Sequence, residues 1–288
     1  MIEIDRALEI APKYHPAMIE KGITLREMKR YEDALVEIDR ALEIAPKYHW
    51  GMFQKGRTLR KMKRYEDALI EIDRALEIAP RYHWAMVERG ITLREKKQYE
   101  DAMVEIDRAL EIDPQGHWAM VEKGITLREK KQYEEAMVAF DRALEIDPEY
   151  EWGIERKLEL LLWLNMYNQV VELVNKVKVP SEDMRNARAL ANIYGGDFES
   201  GRKELKEIVA IWNQTADKGI SPDFYVAWIL GEKEESKKYI QDIMQTEAGM
   251  AKLQDLVEGA KDDLFGYYLN IQGMVDLIEY LESVLEAV

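Results

Sequence analysis

The sequence predicts an all-α chain built as a solenoid of antiparallel helix pairs, and three observations carry that expectation. Pro46, Pro80, Pro114 and Pro148 stand 34 residues apart, with Pro12 one period ahead of them. Residues 83–116 and 117–150 differ at only six of 34 positions. Within each period the apolar residues recur at helical spacing along two stretches separated by a charged break. A fixed period of this length marks supersecondary units that stack on their neighbours instead of folding around one core.

Taken in order, residues 1–14 are expected to form a partial unit. Ile2-Glu3-Ile4-Asp5-Arg6-Ala7-Leu8 matches the middle of a second helix whose partner is absent. Half a unit leaves an apolar face uncovered, as expected of a piece cut from a longer array or of an end that meets another molecule, a second copy included. Residues 15–150 hold four regular units. In residues 49–82, Trp50, Met52, Phe53, Leu59 and Met62 mark a first helix, and Tyr65, Ala68, Leu69, Ile72, Ala75, Leu76 and Ile78 a second. The break falls at Lys61 to Arg64. The second helix is expected to stop at Ala79-Pro80, because the residue before proline is pushed out of the α region. Each helix spans about 13 residues, or roughly 20 Å. Gly22, Gly56, Gly90 and Gly124 lie inside the first helices, where glycine costs about 1 kcal/mol relative to alanine. Close approach of the paired helix, with Ala34, Ala68, Ala102 and Ala136 as its small surface, is the expected compensation.

The unit with Gly56, Tyr65, Ala68, Ala75 and Pro80 resembles the tetratricopeptide repeat. The resemblance implies a right-handed superhelix of antiparallel helix pairs, a non-enzymatic protein-interaction role and a concave inner wall made by the first helices. Two positions depart from the family pattern: Met18, Met52, Met86 and Met120 replace its tryptophan, and Lys21, Lys55, Arg89 and Lys123 its leucine. Those cations are expected to snorkel or to pair with Asp39, Asp73, Asp107 and Asp141.

Residues 151–246 read as degenerate repeats. Glu151-Trp152 keeps the phase, Ser181-Glu182-Asp183 looks like a helix start, and Gly195-Gly196-Asp197-Phe198 looks like an interhelix turn. Ser221-Pro222-Asp223 reads as another start, with Gly231-Glu232-Lys233 as its turn. Residues 247–288 read as two or three capping helices.

Composition narrows the function. The 288 residues contain no cysteine, so disulfides and thiol catalysis are excluded. The net charge is −15, which disfavours nonspecific nucleic-acid binding. No apolar run is long enough to span a membrane and no leader precedes the first unit, so a cytoplasmic chain is expected. Neither a nucleophile elbow nor a phosphate-binding glycine loop occurs, and no enzyme or cofactor is expected. The histidines, His15, His49, His83 and His117, recur one per unit; rungs about 8–10 Å apart cannot converge on one metal ion.

The resemblance places a candidate peptide groove on the first helices. Its expected lining is Trp50, Phe53, Arg57, Arg60, Trp84, Val87, Ile91, Arg94, Trp118, Val121, Ile125, Arg128 and Trp152. An apolar stripe beside an arginine row suits a peptide carrying apolar and carboxylate side chains. The structural reading of the same residues packs tryptophan on Tyr48, Tyr82 or the next unit and pairs each arginine with a glutamate of the adjacent helix. The lysine and asparagine clamp with which some tetratricopeptide domains grip a C-terminal carboxylate is absent: its positions hold Trp84, Val87, Glu88, Ile91 and Phe53. Three partner readings follow: a protein or peptide in the groove, an assembly that only self-associates (whose near-identical units also fit a designed array), and single-stranded RNA.

Overall fold

The computed structural model describes residues 2–212, 227–245, 250–251, 253–254, 257 and 272–286. The expected helix start at Ser221-Pro222-Asp223 and most of the 247–288 register lie outside them. The chain divides into two compact units, Met1–Gly153 and Ile154–Val288. In the first, α1 (Ile2–Ile10) precedes four helix pairs: α2 (His15–Glu27) with α3 (Tyr31–Ile44), α4 (His49–Lys61) with α5 (Tyr65–Ile78), α6 (His83–Glu95) with α7 (Tyr99–Ile112), and α8 (His117–Glu129) with α9 (Tyr133–Ile146). Helix α10 (Glu151–Trp163) follows. Each second helix contacts its own first helix, and α3, α5 and α7 also contact the first helix of the next pair. The first helices also touch one another, α2 with α4, α4 with α6 and α6 with α8, whereas no second helix of this unit touches another. The first helices therefore line the inside of the curve.

The apolar core lies in the seams between pairs. Met18, Ile19, Ile38 and Ala41 cluster with Leu8 of the preceding helix and with Tyr48 and Trp50 of the following pair. Met52, Phe53, Ile72 and Ala75 do the same with Tyr82 and Ala85, and Met86, Val87, Ile91 and Ala109 with Trp118 and Ala119. Fully burying one such large side chain contributes about 1.5–3 kcal/mol, and every seam needs residues from two units. At the start of the chain, Ile2 and Ile10 remain 80% exposed.

Within a pair, glycine sets the distance. A Cβ on Gly56 would sit 2.6 Å from Ile72 Cγ1 and 3.2 Å from the carbonyl oxygen of Ala68. The close approach expected from the sequence is present, and its tightest contact is the isoleucine one turn beyond the alanine. The buried hydroxyls of Thr58, Thr92 and Thr126 donate to the carbonyls four residues back at 2.8 Å, so these three groups keep partners at the crossing.

The cations at the family's leucine position stitch the second helices together. Lys55 Nζ lies 2.9 Å from Asp39 of α3 and 2.9 Å from Glu71 of α5. Lys21 bridges Asp5 and Glu37, and Arg89 bridges Asp73 and Glu105, in the same way. Lys123 reaches Asp107 at 2.7 Å, and Ala139 stands where a second carboxylate would be. Asp39, Asp73 and Asp107 are thus partners as expected, each from the unit preceding its cation, and Lys21 takes Asp5 in the same way. Desolvation pulls the Lys55 ammonium down, but hydrogen bonds to Asp39 and Glu71 outweigh it, leaving its pKa raised.

The interhelix turns end without glycine. Lys29, Lys63, Lys97 and Lys131 adopt φ values of 59 to 63°, and Lys63 N–H donates to Arg60 O while Arg64 N–H donates to Leu59 O, a Schellman closure. The left-handed conformation costs a non-glycine residue about 1–2 kcal/mol.

The second unit contains α11 (Tyr167–Lys176), α12 (Glu182–Gly195), α13 (Phe198–Trp212), α14 (Lys233–Met244) and α15 (Gln272–Leu285). Ser181 caps α12 by accepting from Met184 N–H at 3.3 Å, and Gly196 closes it at φ 103°. Gly231, at φ 79°, makes the turn before α14. Arg188 grips both carboxylate oxygens of Glu204 across the α12–α13 pair. Trp228, Ile240, Leu253, Val257, Leu277 and Leu281 form a buried cluster. No described helix is long and apolar enough to cross a membrane.

Two substitutions test these contacts. Gly56→Ala is expected to lower the urea midpoint, because overpacking costs about 1–3 kcal/mol and outweighs the roughly 1 kcal/mol gain in helix propensity. Lys63→Gly is expected to raise thermal stability by about 1 kcal/mol through relief of the left-handed strain, read by circular dichroism.

Candidate functional site

The first helices do line the inner wall, but the expected groove residues divide into three groups. Phe53, Val87, Ile91, Val121 and Ile125 are buried; Phe53 is 1% and Val87 0% exposed. Their side chains fill the seams, since adjacent first helices touch where the sequence reading left an open stripe. These five make core, not ligand-accessible surface.

The arginines build a ladder. Arg60 donates to Glu88 and Glu95 of α6, and Arg94 Nη1 donates to Glu122 of α8 at 2.7 Å, with Glu129 3.4 Å away. This is the structural pairing, arginine to the adjacent helix's glutamate, and it neutralises charge that the seam would otherwise strand. Desolvation works against the Arg60 guanidinium, but Glu88 and Glu95 overcome it and raise its pKa. Arg128, half-buried on α8, continues the row.

One rung differs. Arg26 Nη1 donates at 2.8 Å to Gln54, a neutral amide where α6 and α8 have Glu88 and Glu122. Burial, then repulsion from Arg57, brings the Arg26 guanidinium down to about 10. Arg57, in the place of Ile91 and Ile125, is part-exposed with its guanidinium 5.6 Å from the Phe53 ring centre. Its Nε faces Glu88 Oε2 at 3.4 Å, yet neither atom has a hydrogen-bond partner.

The tryptophans form one pair instead of a four-rung row. Trp84 stacks on Trp118, ring centres 4.9 Å apart at 23°, and Trp84 is 45% exposed. Trp50 turns onto Phe53 at 5.4 Å, and Trp152 lies edge-on to Tyr150. A ring-to-ring seam explains the difference. His15 packs edge-on to Tyr48, His49 to Tyr82 and His117 to Tyr150, each on the tyrosine that opens the next unit. His83 has Gly116 at that place and lies instead beside Trp84 and 3.7 Å from Asp113. The seam that lacks its tyrosine is the one where two indoles stack and one is open to solvent. The histidines pack in the interunit turns, and no cluster of potential metal ligands occurs among the described residues.

Helix α4 holds what the sequence reading missed. It carries Lys55, Arg57, Arg60 and Lys61 and no carboxylate, whereas α2, α6 and α8 each carry two cations and two glutamates. It differs from α6 at six of 13 positions, while α5 differs from α7 at two of 14. Comparing units helix by helix, rather than by overall identity, reveals this from sequence alone.

Stacked helix pairs with inner first helices, a glycine crossing in each pair and a shared seam define a helical-repeat scaffold. The tetratricopeptide repeat profiles match residues 15–48, 53–117 and 118–150, so residues 15–150 are tetratricopeptide repeats. No curated protein sequence matches it. Among solved structures it is similar to PilW, a type IV pilus biogenesis factor, at 17% identity and TM-score 0.59, covering 70% of this chain and 94% of that one. PilF of Pseudomonas aeruginosa gives 17% identity and TM-score 0.55 over 70% and 93%. The Cut9–Hcn1 structure of the APC/C gives 12% and 0.61 over 80% of this chain and 45% of that one. At these identities the likeness concerns the fold.

The missing rung gives a prediction. Gln54→Glu supplies Arg26 with a carboxylate and is expected to stabilise the chain by about 1 kcal/mol, the scale of a charged hydrogen bond net of its desolvation, measured by thermal unfolding.

Proposed function

We propose that the chain is a non-enzymatic scaffold that binds a protein or peptide along the inner wall of its first helices. The observation that supports this reading best is the Trp84–Trp118 stack, an indole pair 4.9 Å apart with Trp84 45% exposed at the seam where Gly116 stands in the place of a tyrosine. A preformed aromatic surface binds with little ordering cost, and such anchors carry most of the energy in protein interfaces. Trp50, Arg57, Trp118 and Trp152, all part-exposed, extend the wall. Its chemistry is that of capture, with one large apolar contact and charge around it that sets orientation.

The double substitution Trp84→Ala with Trp118→Ala is expected to abolish retention of peptides selected from a random display library, with far-ultraviolet circular dichroism unchanged. Undiminished retention would move the contact surface off this wall.

A further inference from the structure

We infer that α4 seats an acidic stretch of the bound partner, with at least two carboxylates held by Arg57 and Lys61, on the reading that a peptide lies along the inner wall. The near-identity of the units makes each helix a control for the others. Three of the α4 differences change charge, Gln54 for Glu88, Arg57 for Ile91 and Lys61 for Glu95, and all three are toward positive. Their spacing of three and four residues places them on one helix face. In a chain of net charge −15, this is a first helix without a negative group.

The fold fully pairs two of the four α4 cations. Lys55 is taken up by Asp39 and Glu71, and Arg60 by Glu88 and Glu95. Arg57 faces Glu88, which is already held by Arg60, at 3.4 Å without a hydrogen bond, and Lys61, exposed one turn further on, makes no ion pair with the described residues. Desolvation and then Arg60 lower the Lys61 pKa, the direction that an incoming carboxylate would reverse. The α4 sequence also withholds from Arg26 the glutamate that Arg60 and Arg94 have. An arrangement that gives up a native ion pair and concentrates cations beside it is suited to an anion from outside.

A protein segment fits better than a nucleic acid. Glu27, Glu88 and Glu95 flank the cations on α2 and α6, so a continuous phosphate backbone meets repulsion on both sides, while two or three carboxylates do not. The Trp84–Trp118 pair lies one to two helices further along. At about 8–10 Å per helix and about 3.3 Å per extended residue, the ligand would place its acidic residues roughly three to six positions from an apolar or aromatic one.

The test selects random dodecapeptides by display on the full chain and on Gln54→Glu/Arg57→Ile/Lys61→Glu, which writes the residues of α6 into α4. The native chain is expected to enrich peptides rich in Asp and Glu. The variant should lose that bias and bind a synthetic acidic peptide from the native pool about tenfold or more weakly, the native affinity falling steeply with salt. Circular dichroism checks the fold, and Arg57→Gln/Lys61→Gln gives the same readout with less perturbation. A native pool without acidic bias, or an acidic bias that survives in the variant, overturns the assignment. If neutral peptides are enriched and depend on Trp84 and Trp118, the scaffold reading stands and the acidic one falls; if no peptide is enriched, both fall. Retention of random single-stranded RNA by the native chain but not the variant would reassign α4 to nucleic acid.

Discussion

A helix pair with one apolar stripe on each helix cannot close a core, and this constraint governs the first unit. Met52, Phe53, Ile72 and Ala75 share one buried cluster with Tyr82 and Ala85 of the next pair. The core of each repeat is therefore completed at its border. Any residue on a first helix must answer to that border before it can serve a ligand, because stacking curves the array until first helices touch first helices. The result is a wall with fewer exposed side chains than its sequence positions imply, as Val87 and Val121 demonstrate.

Polar groups at such a border need partners from across it. The Arg60–Glu88 and Arg94–Glu122 bonds cross on the inner side, and the Lys55 bridge between Asp39 and Glu71 crosses on the outer side. The bridges at partly exposed positions each contribute little, about 0.2–1 kcal/mol; their effect is on register, since a cation that must touch two successive second helices fixes how one pair sits on the next. The buried arginines are different in kind, because removing a partner leaves a charge in low dielectric. Gln54 is such a removal, written into the sequence itself, and it coincides with the extra cations of α4.

Two departures from repetition thus stand out against units built to one pattern. At one seam Gly116 replaces a tyrosine and leaves stacked indoles open; at another Gln54, Arg57 and Lys61 replace a balanced set with positive charge. They lie on neighbouring first helices of the same wall, one offering apolar area and the other charge. In a repeat array the shared residues hold the fold, and the unshared ones are where a ligand finds something to distinguish.

The 34-residue period, the alternation of first and second helices, the breaks near Lys61–Arg64 and the Ser181 cap were all legible in the sequence, because local periodicity and turn chemistry act over a few residues. The need for close helix crossing at Gly56 was legible too, since an interior glycine is unfavourable without one. The exposure of Phe53, Ile91 and Ile125 and the stacking of Trp84 on Trp118 were not. These depend on how far each pair rotates against the next, a quantity set by the fit of side chains more than twenty residues apart. Sequence alone determined that the helices pair and repeat; only the tertiary packing decided which of their faces remain open, because curvature arises from contacts between units and no single unit contains it.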